Sequence, residues 1–385
     1  MSVKILVVDD EPDLKLLIQQ KFRRQIRDGR FDFLFAHSGV EALAQLAANP
    51  TVDLVLSDIN MPEMDGLTLL TKLPQSSNQL KAVMVSAYGD LQNIRTAMNR
   101  GAFDFVTKPI DFDDLELTIQ KTIDELLKIR DGLLARQELL AIRRELEVAR
   151  QIQQSILPRD FGPKGPTRGV SIFAAMHAAN EVGGDFYDFF MIDEERMGVV
   201  VGDVAGKGVP AAIYMSLSRT LLRATAQLGL DAGECLRQAN RTMCLEGDSG
   251  LFVTIVYVIV NTRTGELSYC SGGHFPPYFA RANGTVESAP LVGGMVLGID
   301  ADARYESGRA TLGSGDLMFL YSDGVTEATN HADDFYGDER LDAAAMAVAG
   351  KDEKTATESI VETVRAFAGG RSQSDDITLV AVRRP

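Results

Sequence analysis

The chain has 385 residues, 45% of them hydrophobic and 24% charged, a composition that fits a globular protein with room for two cores. With 39 Lys and Arg against 54 Asp and Glu the net charge is -15, and no concentrated basic face is visible, which argues against nucleic acid or an anionic membrane surface as the main partner. Three cysteines without pair spacing (Cys235, Cys244, Cys270), no apolar stretch of membrane-spanning length and no signal peptide before Asp9-Asp10 point to a reducing cytoplasm.

In the N-terminal third, short apolar runs recur at Lys4 to Val8, Val52 to Asp58, Ala82 to Ser86 and Asp104 to Pro109. Amphipathic patterns lie between them, at Leu14 to Phe22, Gly39 to Ala47 and Leu91 to Arg100. Strands alternating with helices predict a parallel sheet, whose functional side chains gather at the carboxyl ends of its strands. Asp9, Asp10, Asp58, Ser86 and Lys108 all fall there. Three converging carboxylates repel one another unless a hard divalent cation such as Mg²⁺ sits among them. Lys108 and Ser86 supply a charge and a hydroxyl for a phosphoryl group, and a nucleophilic carboxylate completes the set.

These residues, in Val7-Val8-Asp9-Asp10-Glu11, Ser57-Asp58-Ile59-Asn60-Met61-Pro62, Val85-Ser86-Ala87 and Val106-Thr107-Lys108-Pro109, resemble the receiver domain of two-component response regulators. The resemblance covers residues 3 to 125 and implies a domain over 1–124 with a flavodoxin-like, five-stranded parallel sheet. It further implies that Asp58 accepts phosphate from a sensor histidine kinase. Asp10, Asp58 and the Asn60 carbonyl would hold Mg²⁺ with Asp9 alongside; Ser86 and Lys108 would bind the phosphoryl group, and Phe105 would take the aromatic switch position.

Residues 113–157 read as one long helix. Leu115, Ile119, Thr122, Leu126, Ile129 and Leu133 form a four-and-three seam, and Leu139, Ile142, Leu146, Ala149, Gln153 and Ile156 continue it in a shifted phase just after Gly132. The expectation is a parallel coiled coil that pairs two chains, adjustable between Gly132 and Arg136. A loop over 158–169, with Phe161-Gly162-Pro163-Lys164-Gly165-Pro166, leads into the last domain.

From 170 to 385 short strand-like runs cluster around helical patterns at Pro210 to Leu228, Ala232 to Leu245, Leu341 to Val348 and Thr355 to Ala368. They predict an α/β sandwich of two mainly antiparallel sheets flanked by helices. Acidic residues meet glycine at Gly183-Gly184-Asp185-Phe186, Gly202-Asp203-Val204-Ala205-Gly206-Lys207-Gly208, Ser322-Asp323-Gly324 and Ser374-Asp375-Asp376. An Asp-rich site without His or Cys prefers Mg²⁺ or Mn²⁺, and two such ions activate water against a phosphate ester. Gly183-Gly184-Asp185-Phe186 also spells part of a diguanylate cyclase signature, but that reading leaves Asp203, Asp323 and Asp375 unexplained. Lys207 reads as a solvated residue at a helix start. His274 fits either a structural role in its Gly-Gly turn or proton donation.

The whole set, with Ser271-Gly272-Gly273-His274 and Tyr321-Ser322-Asp323-Gly324-Val325-Thr326-Glu327, resembles the metal-dependent (PPM-type) serine/threonine phosphatases of the bacterial sigma-factor-regulating branch. That resemblance implies two Mn²⁺ or Mg²⁺ ions bridged by Asp203, touched by the Val204 carbonyl and completed by Asp323 and Asp375. Asp185 would hold metal-bound water, with Asp376 nearby. Asp203, Asp323, Asp375 and Asp185 are thus the catalytic set, and no counterpart of the phosphate-binding Arg of eukaryotic members is visible. The implied substrate is a phosphorylated protein such as an anti-sigma-factor antagonist, supplied in trans and controlled through Asp58. A module that sequesters its partner under phosphorylation control, without hydrolysis, is the competing expectation.

Overall fold

A computed structural model describes residues 2–73, 80–87, 90–159, 169–246 and 250–385. The chain forms two compact units, Met1–Ala141 and Ile142–Pro385. The glycine- and proline-rich stretch from Phe161 to Pro166, expected as a loop, lies outside the described residues.

The first unit runs β1 (Val3–Val8), α1 (Pro12–Lys21), α2 (Arg23–Arg27), β2 (Phe31–Ala36), α3 (Gly39–Ala48), β3 (Leu54–Asp58), α4 (Gly66–Lys72), β4 (Lys81–Ala87), α5 (Leu91–Asn99), β5 (Asp104–Lys108) and the start of α6 (Phe112–Ile156). Its strands pair in parallel in the order β2-β1-β3-β4-β5. Both faces are covered, as the unbroken apolar strands require. Leu6, Val8, Val55 and Met84 share one buried cluster with Ala42, Leu69, Leu70 and Ala97 of the helices. On the opposite face Ile5, Val7, Leu54, Leu56, Val83 and Val106 pack with Leu14, Ile18, Leu115, Ile119 and Ile123.

That second cluster corrects the expected coiled-coil seam. Leu115, Ile119, Thr122 and Leu126 are buried in their own unit, so the first half of the stripe covers this sheet and is not free to meet a second chain. Arg130 fastens the same stretch through an ion pair to Asp53. The helix continues through Gly132, where an added Cβ would meet nothing within 4 Å. From Asp131 to Glu145 every residue is exposed.

The second unit contains the end of α6, then β6 (Ser171–His177), β7 (Phe186–Met191), β8 (Arg196–Val204), α7 (Val209–Ala226), α8 (Ala232–Glu246), β9 (Val253–Asn261), β10 (Glu266–Gly272), β11 (Tyr278–Ala280), β12 (Val286–Ser288), β13 (Gly293–Gly294), β14 (Gly308–Thr311), β15 (Leu317–Tyr321), α9 (Asp323–Thr326), α10 (Gly337–Val348), α11 (Glu353–Ala368) and β16 (Ile377–Arg383). One sheet has the order β13-β10-β9-β8-β7 with β14 also on β10; the other is β12-β11-β15-β16-β6. All pairings are antiparallel except β10 with β13.

The inner faces meet through Val199 and Val201 from one sheet and Met318, Leu320, Val380 and Val382 from the other, and the same cluster extends to Met215, Leu222, Leu236 and Met243 of α7 and α8. The second sheet's outer face packs Phe319, Leu379 and Ala381 against Leu341, Ala345, Ile360 and Val364 of α10 and α11. The architecture is therefore helix layer, sheet, sheet, helix layer. The strand β7 has no counterpart in the sequence expectation, because Phe186 to Phe190 are all buried and show no alternation of apolar and polar residues. Within it Asp188, 1% exposed, is held by Arg219 at 3.0 Å and Arg223 at 3.1 Å, which ties α7 to the sheet.

Candidate metal and phosphoryl centres

In the first unit the parallel strands deliver their carboxyl ends to one pocket. Carboxylate oxygens of Asp9, Asp10 and Asp58 lie within 4.8 Å of one another. Lys108 at the end of β5 is 2.7 Å from Asp58, 3.1 Å from Asp9 and 3.1 Å from Glu11. Burial opposes the charge on Lys108, but its bonds to Asp58, Asp9 and Glu11 outweigh that and raise its pKa above the usual lysine value. Burial raises the Asp9 carboxyl, partly offset by the Glu11 N–H and Lys108. Ser86 is fully buried, and its Oγ finds no hydrogen-bond partner among the described residues. An orphaned hydroxyl beside a converging acidic trio fits a site for Mg²⁺ and a phosphoryl group. Asn60 follows Asp58 closely, its N–H donating to Asp58 Oδ1 at 3.3 Å. Phe105 lies on β5, 37% exposed.

In the second unit the acidic motifs converge where both sheets end. Asp203 is the penultimate residue of β8, Asp323 opens α9 after β15, and Asp375 and Asp376 precede β16. Asp185, which precedes β7, is 1% exposed. Burial, then repulsion from Asp203, lifts the Asp185 carboxyl well above the usual range. Asp203 is pushed up to about 7, first by burial and then by Asp323 and Asp375, while a hydrogen bond with Asp185 acts the other way. Asp323 is raised by burial and by Asp375. Carboxylates desolvated against one another, with no His or Cys donor in the group, suit oxygen-binding divalent cations, although no three of them draw their oxygens within 4.8 Å as the trio of the first unit does.

The neighbours hold this set in shape. Asp185 Oδ2 accepts from the Thr378 hydroxyl at 2.5 Å. Asp376 uses both oxygens on backbone N–H groups, Oδ1 from Ala179 at 2.8 Å and Oδ2 from Asp185 at 3.4 Å. The glycines of the motif are required by close approach: a Cβ on Gly183 would collide with Asp376 Oδ2, and one on Gly184 would lie 2.7 Å from the Val204 carbonyl and 3.1 Å from Asp203 Oδ1. This explains the cyclase-like tetrapeptide without a cyclase; it runs into β7, an edge strand of an antiparallel sandwich.

Two accessory residues are now placed. His274 is buried, its Nε2 donating to the Tyr321 carbonyl at 3.0 Å and its Nδ1 accepting from Thr254 Oγ1 at 2.8 Å. Burial pulls its pKa down to about 4, so the ring is neutral at pH 7 and joins the two sheets. Lys207 does more than occupy a solvated helix start: its ammonium is 3.1 Å from Asp375 Oδ2 and donates to the Ser374 carbonyl at 2.7 Å. A cleft of about 590 Å³ opens at Asp203 and Asp323 and runs past Phe275, Pro276 and Leu291. Sequence reasoning missed Thr254 and Leu291, and it met Thr378, Phe275 and Pro276 only as motif residues without a role, because none of them carries a charge pattern. It counted Gln153 in an apolar seam, and a polar amide in the second half of that stripe was the available signal.

An acidic pocket on a parallel sheet and an Asp-lined cleft on a four-layer sandwich define a receiver joined to a PP2C-type fold. The chain belongs to the Stage II sporulation protein E (SpoIIE) family, whose model matches residues 193–385, half of the chain. The response regulator receiver domain matches residues 5–120. Protein IcfG of Synechocystis sp. is 29% identical over 63% of this chain and 42% of its own length. Phosphoserine phosphatase RsbU of Bacillus subtilis is 33% identical over 48% of this chain and 54% of its own. The chain thus spans about half the length of these relatives. The SiaA-PP2C domain of Pseudomonas aeruginosa shares the fold, with a TM-score of 0.57 and 24% identity over 64% of this chain and 98% of that one. No described helix is long and apolar enough to cross a membrane.

Proposed function

We propose that the chain is a cytoplasmic response regulator in which phosphorylation of Asp58 by a sensor histidine kinase controls a metal-dependent phosphatase acting on phosphoserine or phosphothreonine of a partner protein. The observation that carries this reading is Asp203 and Asp323 at the head of an open cleft, with Asp185 buried behind them and Asp375 in the same repelling group. Asp203, the Val204 carbonyl, Asp323 and Asp375 would hold two Mn²⁺ or Mg²⁺ ions, with Asp185 beneath and Asp376 bracing the Asp185 backbone. Bound ions would supply an activated water and neutralise phosphate oxygens. The chain's own part is to exclude solvent around Asp185, to fix the carboxylates through Thr378 and Asp376, and to admit the phosphorylated segment along the cleft. In the receiver, Asp9, Asp10, Asp58 and the Asn60 carbonyl would hold Mg²⁺, Ser86 and Lys108 would bind the phosphoryl group, and Phe105 would report the switch. The motif resemblance to the sigma-factor-regulating branch makes a phosphorylated anti-sigma-factor antagonist the substrate we favour, and the relative RsbU is named a phosphoserine phosphatase. The test is hydrolysis of a phosphoserine protein with Mn²⁺, with and without a phosphoryl mimic on Asp58; no hydrolysis in either state would leave only a partner-binding module.

Among the described residues Lys207 forms an ion pair with Asp375 of this carboxylate group, and we assign it the phosphate-holding role for which no Arg counterpart is visible in the sequence. Lys207→Ala should raise KM for a phosphoprotein about tenfold with a smaller change in kcat, since a charge-assisted bond to phosphate contributes roughly that much. Unchanged KM would leave Lys207 an exposed partner of Asp375 with no part in phosphate binding.

The dimer proposal now rests on α6 beyond Ile129, where Leu134, Leu139, Ile142 and Ile152 are exposed. Replacing Leu139 and Ile142 together with Lys should convert a dimer into a monomer by light scattering, because charge at the seam of a coiled coil removes its apolar contact. A wild-type chain that is monomeric with and without the Asp58 mimic refutes the pairing.

A further inference from the structure

Gln153 lies in the last turn of α6 and is 4% exposed. A buried amide needs partners, and this one finds both on a single residue. Its Nε2 donates to the Gly183 carbonyl at 2.7 Å, and its Oε1 accepts from the Gly183 N–H at 3.3 Å. The next residues are Gly184, packed against Asp203 Oδ1 and the Val204 carbonyl, and Asp185. Gly183 cannot drift toward Asp376, because the Asp376 carboxylate already crowds it, and Asp376 accepts from the Asp185 N–H. The same end of the helix is seated by Ile156 and Leu157 in the core of the unit.

We propose that Gln153 is a positioning residue for the metal centre: by gripping both backbone groups of Gly183 it sets the Gly183–Asp185 loop, and so makes cation binding depend on the rotational setting of the last turns of α6. The proposal rests on the phosphatase reading and names the point at which that centre is held. A helix turns 100° per residue, so a rotation of a fraction of a turn carries the amide off Gly183. The loop then loses two hydrogen bonds next to Asp185, whose carboxylate is linked to Asp203.

The experiment is Mn²⁺ titration of the full chain by calorimetry, with Tm recorded on the metal-free protein, for wild type, Gln153→Leu, Gln153→Asn and Leu157→Ala. Removing the partner that orients a metal site commonly weakens binding 10- to 100-fold. Gln153→Leu should therefore weaken Mn²⁺ binding at least about tenfold, with kcat largely recovered at saturating Mn²⁺. Gln153→Asn, an amide one methylene shorter, should fall between and serves if the Leu variant does not fold. Leu157→Ala, which removes buried apolar contact and leaves the Gln153 amide in place, should lower Tm and keep wild-type affinity. Wild-type affinity in both Gln153 variants, or an equal loss in Leu157→Ala, overturns the positioning role alone. A wild-type chain that binds no Mn²⁺ overturns this role and the phosphatase reading together.

Discussion

Asp203→Asn is expected to reduce phosphoserine hydrolysis by on the order of a thousandfold, and to remove the Mn²⁺-dependent gain in Tm, while the chain stays folded. Asp203 is the residue expected to bridge both cations, so its loss disrupts both positions. Stability should move the opposite way. Its carboxyl sits at about 7 in the fold, above the ordinary carboxylate value, first because it is buried and then because Asp323 and Asp375 repel its charge. Between the ordinary value and about 7 the folded chain holds a proton that the unfolded chain has released, so metal-free stability falls as pH rises through that window. Asn carries no charge and escapes the penalty. Metal-free Asp203→Asn should therefore melt above wild type at pH 8, with the difference shrinking toward pH 4. Thermal melts at both pH values and a phosphoprotein assay test the pair of claims. Hydrolysis within tenfold of wild type would refute the proposed centre, and an Asn variant that melts below wild type at pH 8 would refute the repulsion.

These two sites were legible in the sequence to different depths, and for physical reasons. A parallel sheet places the ends of its strands side by side, so the positions of Asp9, Asp58, Ser86 and Lys108 at the ends of apolar runs were enough to assemble the first pocket before any coordinates. In the sandwich, Asp185, Asp203, Asp323 and Asp375 come from strands of two sheets whose order does not follow from local pattern; motif resemblance, more than periodicity, brought them together. The glycines around them had a local meaning that only packing supplies: Gly183 and Gly184 are small because Asp376 and Val204 approach them.

The helix shows the complementary limit. A stripe of Leu and Ile at four-and-three spacing says that one face will be covered, and nothing about what covers it. From Leu115 to Ile123 the cover is the receiver's own sheet. Gln153 falls on the stripe yet meets Gly183. Lys207 has the same history, since a lysine at a helix start declares its charge but not its partner, which is Asp375 in a distant loop.

The receiver supplies the second large effect, through two substitutions that should part company. Asp58→Asn is expected to take up no phosphoryl group from a histidine kinase or a small phosphodonor, because the nucleophilic oxygen is gone. Ser86→Ala should still be phosphorylated, since Asp58 and Lys108 remain 2.7 Å apart, but should lose the phosphorylation-dependent change in phosphatase rate. It should also stabilise the unphosphorylated chain. The Ser86 hydroxyl is fully buried without a partner among the described residues, and such a group costs about 1–3 kcal/mol that a methyl does not. For a unit of this size that corresponds to a rise in Tm of several degrees. A function kept at the expense of stability is what a binding site for an incoming group requires: the hydroxyl has no use in the resting fold and acquires one when the phosphoryl group arrives. Radiolabel transfer, melting curves and the phosphatase assay separate the outcomes. A Ser86→Ala chain that melts lower than wild type would mean the hydroxyl already has a partner, and one that still answers phosphorylation would mean the switch runs through Lys108 alone.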